Sequence, residues 1–271
     1  MLSDSGNVTD SDLLYAFLKA HSVSHLDYIV ATHAHENHVG CLSGALNYAT
    51  ASVALSPVTE FDNRAFNNFV AQLNKQGLEI TVPTYGDEFT PGGADVQILG
   101  PICPSNEPYN TPIVIKITYD SVSFLFTGDT ERAEAADILE ASLNLSATVL
   151  KVGHHGSDTS TTYSFLRKIM PQYAVISCGA NNTYGHPHGD TLSKLRDEEV
   201  TLYRTDMQGT ITAFSDGATV TFELERNANA ITDPSAPNST VTQSPTTTPT
   251  TLPEPSPTPE SLPADIQHIP T

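Results

Sequence analysis

The sequence predicts a layered α/β (α+β) domain over residues 1–225, followed by a segment that cannot pack into a core. Three observations support this prediction. Signals for helices and strands alternate along the first part of the chain. About 225 residues suffice for one large domain with a buried interior. From about Arg226 the composition shifts to Pro, Thr and Ser, with few large apolar side chains.

The first helix and the first strand are predicted near the amino terminus. Thr9, Asp10 or Ser11 can cap a helix that ends near His21. The apolar residues of this helix share one face: Leu13, Leu14, Phe17 and Leu18. A short apolar strand follows over residues 26–31.

The later elements continue the alternation. Residues 113–126 predict a β-hairpin that turns at Asp120 and Ser121. Downstream we expect a helix over 131–139 with Thr130 as its cap, a strand over 148–152, a helix over 161–170, a strand over 173–177, a helix over 190–199 capped by Asp190, and a closing hairpin over 209–224.

The segment 226–271 is predicted to be a disordered linker or tail rich in Pro, Thr and Ser. Its stretch over 244–260 buries too little apolar surface to offset the entropy of ordering the chain. Disorder or a polyproline II conformation is therefore expected. Such tracts act as spacers between an extracellular module and a cell wall or another domain, or are tails without that role, and both readings stay open.

The charge of the chain bears on its partners. The formal net charge is −19, from 31 acidic and 12 basic residues. Because binding to phosphate backbones relies on Lys and Arg, no tight non-specific nucleic-acid binding is expected. Small phosphodiesters or nucleic-acid fragments remain open as substrates, since bound cations dominate the field of a metal site. The sequence predicts neither a signal peptide nor a membrane span.

A histidine cluster directly after the strand predicted over 26–31 is the most informative feature. His33 and His35 are two residues apart and project to the same side of an extended segment. His38 lies where a helical turn returns it towards them. Imidazoles bind zinc, manganese or iron, and three of them at the end of a strand indicate a metal site. The alternative is a cluster of surface histidines.

Other candidate site residues also follow predicted strands. Asp129 ends the buried hairpin, where a lone carboxylate is costly unless it is paired or binds a metal. His186 lies in a loop after a strand, which suits a second metal ligand, and a turn around Pro187 is the alternative reading. One of His154 and His155 could bind metal, transfer a proton or support other ligands.

Five segments together resemble one known family. The segment HAHENH over 33–38 resembles the HxHxDH signature of the metallo-β-lactamase fold. Four others agree in order: MLSDSG over 1–6, FTGDT over 126–130, KVGHHGS over 151–157 and YGHPH over 184–188. The last two are similar to the soluble hydrolase domain of the competence protein ComEC and its free-standing relatives. The resemblance covers residues 1 to about 225.

The resemblance implies a four-layer αββα sandwich and a metal-dependent hydrolase with one or two divalent ions, zinc or manganese. Such ions lower the pKa of a bound water from about 15.7 towards ~7, which generates a hydroxide nucleophile. The implied metal ligands are His33, His35, His38, Asp129 and His186. His155, as proton donor to the leaving group, and Asn37 occupy catalytic positions. The implied substrate-binding or ligand-supporting residues are Asp4, Asn110, His154, Gly156, Ser157 and His188.

The sequence departs from the family pattern at three places. Asn37 replaces the Asp of HxHxDH, and a neutral amide is a weaker ligand that cannot act as a base. No histidine lies between His38 and His154, and Asn110 is the proposed counterpart of the mid-chain ligand. The sandwich is also expected to lack its first strands. An extracellular or cell-surface location is favoured if that missing region carries a signal or an anchor.

Three functional hypotheses follow. The first is a metal-dependent phosphodiesterase or nuclease. The second is hydrolysis of an ester, lactone or amide at the same site. The third is a catalytically weakened domain that serves as a surface or binding module, which Asn37 and the Pro/Thr tail favour.

Overall fold

A computed structural model describes residues 1–102, 112–141 and 143–232. Asn110 lies outside the described residues, and so does nearly all of the tail predicted over 226–271. Within the described part, the chain after the last strand stays in contact with the domain. Thr232 donates a hydrogen bond from its hydroxyl to the carbonyl of Leu202 at 2.8 Å.

The first sheet is parallel and contains four strands in the order β1-β2-β3-β4. The strands are β1 (Leu2–Ser3), β2 (His25–Val30), β3 (Thr50–Leu55) and β4 (Ile80–Thr81). The helices of this half are α1 (Ser11–Ala20), α2 (Glu36–Val39), α3 (Leu42–Tyr48) and α4 (Arg64–Lys75).

The second sheet is mixed and contains seven strands in the order β11-β10-β9-β8-β7-β6-β5. Its strands are β5 (Glu88–Phe89), β6 (Asp95–Gly100), β7 (Val114–Tyr119), β8 (Val122–Phe126), β9 (Val149–Lys151), β10 (Tyr173–Ile176) and β11 (Thr201–Arg204). Strands β5 to β8 pair antiparallel, and β8 to β11 pair parallel. The remaining elements are α5 (Arg132–Glu140), α6 (Tyr163–Ile169), α7 (Gly189–Asp197), α8 (Thr205–Gln208) and a hairpin of β12 (Ile211–Ser215) and β13 (Val220–Leu224).

Three apolar clusters show how these elements stack. One cluster joins β2 and β3 to α3 and α4. The middle cluster joins the two sheets through side chains such as Val30, Leu55, Ile98 and Ile115. A third joins the other face of the second sheet to α5, α6 and α7. The order is helices, sheet, sheet, helices, so the predicted four-layer αββα sandwich is confirmed.

Alternation within single strands produces this double-sided burial. In β7, Val114 belongs to the helix-side cluster, whereas Ile115 belongs to the cluster between the sheets. Successive side chains of a strand point to opposite faces, so a central strand covered on both sides is apolar almost throughout.

Helix α4 was not predicted from the sequence, although local features of the sequence stabilise it. The Asn63 side chain caps the helix, accepting hydrogen bonds from the backbone amides of Ala65 at 2.7 Å and Phe66 at 3.2 Å. Phe66, Phe69 and Leu73 follow at helical spacing and are buried.

Most predicted elements are confirmed within one or two residues, and the cap of α1 is Asp10, one of the three predicted, whereas the predicted caps Thr130 and Asp190 were wrong. In α1 only Leu18 is buried, while Leu13 and Phe17 are 73% and 51% exposed. The caps of α5, α6 and α7 are Glu131, Thr162 and His188. The predicted caps were displaced because their side chains have other partners. Thr130 bonds the carbonyl of Thr127, and Asp190 pairs with Lys194 inside α7.

Among the described residues, every helix is too short or too polar to cross a membrane.

Candidate metal centre

The candidate site residues come from segments that follow four different strands. Asp4 follows β1, and the segment 33–38 follows β2. Asp129 follows β8, and His155 follows β9. The carboxyl ends of these strands therefore meet at one place, where loops can offer side chains held by rigid sheets.

The first donor group consists of His33, His35 and Asp129. His33 Nε2 lies 3.1 Å from His35 Nδ1 and 3.5 Å from Asp129 Oδ2. One ligand atom of each residue lies within 4.8 Å of the others.

The second donor group consists of His38, Asp129 and His155. His38 Nε2 lies 3.2 Å from Asp129 Oδ2 and 3.2 Å from His155 Nε2. His155 Nε2 lies 3.6 Å from Asp129 Oδ1. The single carboxylate of Asp129 therefore belongs to both groups.

The outward nitrogens of three of these histidines have acceptor partners. His155 Nδ1 lies 2.7 Å from the carbonyl of Ser177, which can only accept. His38 Nδ1 lies 2.8 Å from the Asp4 carboxylate. Thr32 donates its hydroxyl proton to Asp4 at 2.7 Å, so it accepts from His33 Nδ1 at 3.2 Å.

These contacts fix the protonation pattern. His33 and His155 each carry their proton on Nδ1 and turn the lone pair of Nε2 towards Asp129. His38, with a pKa of about 9, carries a proton on both ring nitrogens at pH 7 in the metal-free protein. Partners on the far ring nitrogen are the usual device for orienting metal-binding imidazoles. Asp4 sets the tautomer of His38 directly and that of His33 through Thr32.

The imidazole nitrogens and the Asp129 carboxylate that converge at this place favour a cation between them. The pKa values of the metal-free protein show the same preference. Burial alone lowers the pKa of His38, but the Asp4 and Asp129 carboxylates outweigh it and raise that pKa to about 9. Burial and the neighbouring His38 charge lower the pKa of His33 to about 3. Burial and the Lys151 charge lower the pKa of His155 to about 4. Burial raises the pKa of Asp129, but His38, His155 and His33 overcome that effect and bring it well below its usual range.

The residues present fit divalent metal ions. Tetrahedral ligands about 2.0–2.1 Å from zinc lie roughly 3.3 Å apart. The five donor separations given above run from 3.1 to 3.6 Å. Imidazole and carboxylate are also a donor set that zinc and manganese accept. A proton on His38 Nε2 takes the place of a cation in the metal-free protein.

The loop after β9 places His155 through an unusual backbone. His154 and His155 both have positive φ angles, 47° and 54°. Two consecutive side-chain-bearing residues in this region are strained, and such strain persists where surrounding contacts hold it. The contacts include the bond of His154 N to the carbonyl of Gly128 at 3.1 Å. At Gly156, with φ of 87°, an added Cβ would lie 2.7 Å from Pro187 Cβ.

The other predicted residues surround the two donor groups. Asn37 lies in contact with the second group, its Nδ2 donating to His155 Nε2 at 3.1 Å. His154 lies between two carboxylates, 3.9 Å from Asp129 and 3.4 Å from Glu131. His186 belongs to neither donor group, and its ring centroid is 6.5 Å from that of His155.

His188 and Ser157 contact protein groups rather than the donor groups. His188 Nδ1 pairs with Asp158 at 3.1 Å. Ser157 is buried, and its hydroxyl bonds that of Thr159 at 3.0 Å. His155, predicted to transfer a proton, thus belongs to the second donor group. His186, predicted to be a metal ligand, lies outside both donor groups among the described residues.

Sequence reasoning missed Thr32, Ser177 and Glu131. Their roles depend on hydrogen bonds between residues far apart in the chain, which no spacing pattern encodes. The only available signal was position, since Thr32 and Ser177 each follow a strand that leads into the site.

We expect the metal-free protein to be most stable near pH 6.5. The folded pKa of His38, about 9, exceeds its ordinary value of 6.5. Its stabilisation is therefore full below pH 6.5 and is lost as the pH rises towards 9. The folded pKa values of His33 and His155, about 3 and 4, lie below 6.5. Unfolded chains bind these protons more readily, so stability also falls as the pH drops from 6.5 towards 4.

Thermal unfolding of chelator-treated protein across this pH range checks the expectation. Asp4→Asn should flatten the alkaline side, because Asp4 is the largest influence that raises the His38 pKa. Asp27→Asn, at an exposed position of β2, is the matched control and should leave the profile unchanged. Stability that rises between pH 6.5 and 9 would contradict the assignment.

The four-layer αββα sandwich places a histidine–carboxylate cluster that could hold a metal at the ends of its strands. The family model described as Metallo-beta-lactamase superfamily matches residues 1–180. The chain belongs to the metallo-β-lactamase superfamily.

Within that superfamily the chain is similar to competence proteins. It is 30% identical over 200 residues to ComE operon protein 3 of Bacillus subtilis, covering 73% of this chain and 26% of that protein. It is 34% identical over 121 residues to competence protein ComA of Neisseria gonorrhoeae, covering 44% and 18%. It is 31% identical over 134 residues to recombination protein 2 of Haemophilus influenzae, covering 48% and 16%. The chain thus spans about a quarter or less of the length of these relatives.

Solved structures with a similar fold are more distant in sequence. The metallo-β-lactamase fold protein YhfI of Bacillus subtilis matches with a TM-score of 0.46 and 13% identity, covering 74% of this chain and 81% of that one. A metal-dependent hydrolase of the β-lactamase superfamily matches with a TM-score of 0.47 and 11% identity, covering 74% and 84%.

Proposed function

We propose that this chain is a metal-dependent phosphodiesterase that acts on nucleic-acid fragments or small phosphodiesters. The observation that carries the proposal is the pair of donor groups that share Asp129. Sites with two adjacent cations suit in-line displacement at phosphorus, because both the attacking and the leaving oxygen need charge stabilisation. Similarity to relatives named for competence and recombination supports a nucleic-acid substrate.

The ions are proposed to be zinc or manganese. The first donor group holds one through His33, His35 and Asp129, and the second holds another through His38, Asp129 and His155. When bound, such ions polarise phosphoryl oxygens and lower the pKa of water.

The protein's own side chains keep this site charged and oriented. The lowered pKa values of His33 and His155 keep both imidazoles neutral at pH 7, so their lone pairs stay available. Asp4 accepts from the amide of Thr32 at 2.8 Å as well as from its hydroxyl, which anchors the segment that carries His33.

Proton transfer to the leaving group is better assigned to His154 than to His155. His155 Nε2 points into the second donor group, and its Nδ1 is held by Ser177. His154 is about one-third exposed, and its Nδ1 lies 3.4 Å from Glu131. A carboxylate on one ring nitrogen orients the other towards the site and supports the charge that forms on transfer.

Substrate panels test the proposal. Metal-loaded protein should hydrolyse bis-p-nitrophenyl phosphate with zinc or manganese, and only weakly hydrolyse nitrocefin and p-nitrophenyl acetate. Chelation should abolish the phosphodiesterase rate, and added metal should restore it. Preferred hydrolysis of the ester or of nitrocefin would overturn the phosphodiesterase assignment, while bound metal without turnover would identify a binding module.

Asn37→Asp is expected to strengthen the second donor group. The Asn37 amide donates to His155 Nε2 and so competes with a cation for that lone pair. A carboxylate removes the competing donor and adds a negative charge beside the group. Metal content after dialysis should rise towards two ions per chain, and the phosphodiesterase rate should rise by about tenfold or more.

Asn47→Asp makes the same charge change at an exposed position of α3 and should change neither quantity. Unchanged metal content and rate in Asn37→Asp would show that position 37 does not act on the centre.

A further inference from the structure

We propose that Tyr184 is a stacking residue for a nucleobase of the substrate, next to the phosphate bound at the metal centre. This inference rests on the proposed phosphodiesterase function and names an unpaired nucleic-acid strand as the substrate class. It is carried by a row of ring contacts that leads from the second donor group to an exposed tyrosine.

The row consists of His155, His186 and Tyr184. The ring centroids of His155 and His186 are 6.5 Å apart, with an interplanar angle of 22°. The rings of His186 and Tyr184 are 5.6 Å apart, also with an angle of 22°. The inner end of the row is a metal donor, and the outer end is a tyrosine that is 76% exposed.

Tyr184 therefore has a ring contact with His186 on the side of the metal centre, and most of its surface is exposed. His186 itself has ring contacts with His154 at 5.7 Å and His188 at 4.8 Å, so it is a firmly placed support. A large aromatic residue left this exposed beside a catalytic centre is available to a planar ligand group, because aromatic faces attract one another through offset stacking.

The loop that carries Tyr184 is held by hydrogen bonds at both ends. Asn182 Nδ2 donates to the carbonyls of Gly179 at 3.0 Å and His186 at 2.6 Å, while its Oδ1 accepts from the amide of His186 at 3.0 Å. His188 Nε2 bonds the carbonyl of Tyr184 at 3.1 Å. A platform held in advance loses little conformational entropy when a base stacks on it.

The charge around the site favours stacking over electrostatic attraction as the source of substrate affinity. Glu131 and Asp158 lie at the rim, with side chains 42% and 51% exposed. Together with the net charge of −19, they offer little attraction for a polyanion. Stacking on aromatic residues supplies affinity for single strands without sequence preference, and a base inside a duplex is not available for it.

The test compares two substrates with the same scissile bond and leaving group. Thymidine 5′-(p-nitrophenyl phosphate) carries a base, and methyl p-nitrophenyl phosphate does not. Tyr184→Ala should lower the ratio of the two kcat/KM values about 5- to 150-fold, the range that corresponds to ~1–3 kcal/mol for a stacked base. Tyr184→Phe should retain the wild-type ratio. Tyr119→Ala removes another exposed tyrosine, 42% exposed at the far end of β7, and should leave the ratio unchanged.

A binding measurement separates this inference from the proposed function. A dinucleotide containing 2-aminopurine, joined by a methylphosphonate that resists hydrolysis, should lose fluorescence when metal-loaded wild-type protein stacks its base. Tyr184→Ala should abolish that quenching. Quenching and a substrate ratio that both survive Tyr184→Ala overturn the stacking role even if phosphodiesterase activity is present. Wild-type protein that hydrolyses neither ester overturns the proposed function, and quenching that depends on Tyr184 would then still establish the base site.

Discussion

Asp129→Asn is expected to remove nearly all hydrolytic activity and most of the bound metal. The Asp129 carboxylate is the one side chain shared by both donor groups, and four histidines lie within 4.8 Å of it in those groups. An amide keeps the shape of the side chain but lacks the negative charge that would attract two cations. We expect the phosphodiesterase kcat to fall on the order of 10³-fold or more. Metal content by mass spectrometry should fall in parallel.

Asp137→Asn is the matched control, because Asp137 is exposed on α5, a few residues along the chain. It should retain wild-type rate and metal content. If Asp129→Asn kept full metal content and rate, the two donor groups would not be the catalytic centre. Thermal unfolding of both variants would show that the fold is intact.

Gly40→Ala is expected to destabilise the protein and weaken its metal centre together. Gly40 follows α2, and its backbone has an ordinary helical φ of −53°. The destabilisation expected from Gly40→Ala therefore comes from steric overlap and not from backbone strain. An added Cβ would lie 2.4 Å from the amide nitrogen of Val8 and 2.6 Å from the carbonyl carbon of Asn7. Both neighbours are backbone atoms that cannot rotate away, so the segment 4–8 must shift.

That segment carries Asp4, which anchors Thr32 and His38. Ser5 also bonds the carbonyl of His38, with its amide at 2.8 Å and its hydroxyl at 3.1 Å. We expect the free energy of unfolding to fall by about 3 kcal/mol. Metal affinity should fall roughly 10- to 100-fold, as when partners of metal ligands are lost. Denaturant unfolding and competition with a chelating dye measure the two effects.

Gly44→Ala is a suitable control, since its added Cβ would meet the Ser11 side chain at 3.5 Å, an ordinary contact. Gly44 lies inside α3, where alanine favours the helix, so this variant should be as stable as wild type or more so. Wild-type stability and metal affinity in Gly40→Ala would show that the contact between α2 and the segment 4–8 does not support the centre.

The elements that sequence alone predicted well are those with one dominant signal. The histidine segment was recognisable because three imidazoles follow an apolar strand, and Asp129 because a carboxylate ends a buried hairpin. The exposure of Leu13 and Phe17 was not predictable, because an amphipathic pattern shows that a face is apolar but not that another element covers it. Strands β4 and β5, of two residues each, were missed because such short strands depend on pairing with neighbouring strands rather than on their own pattern.

The separate roles of the histidines after residue 150 could not be predicted from the sequence either. His154, His155, His186 and His188 lie in two short motifs, and spacing alone cannot say which imidazole reaches Asp129. The answer depends on the positive φ angles of His154 and His155 and on the partner of each outward nitrogen. These are properties of the assembled loops.

The sharing of Asp129 between the two donor groups has a thermodynamic consequence. A carboxylate whose charge is already compensated by one cation attracts a second less strongly, while a carboxylate already oriented by one cation needs less ordering to accept another. If each donor group binds a cation, the occupancies of the two positions are therefore coupled, and by linkage each ion changes the affinity for the other by the same factor. Titrations of this protein with metal should follow a cooperative or anticooperative isotherm rather than the sum of two independent sites. The sign of that cooperativity reports which of the two effects of Asp129 is larger.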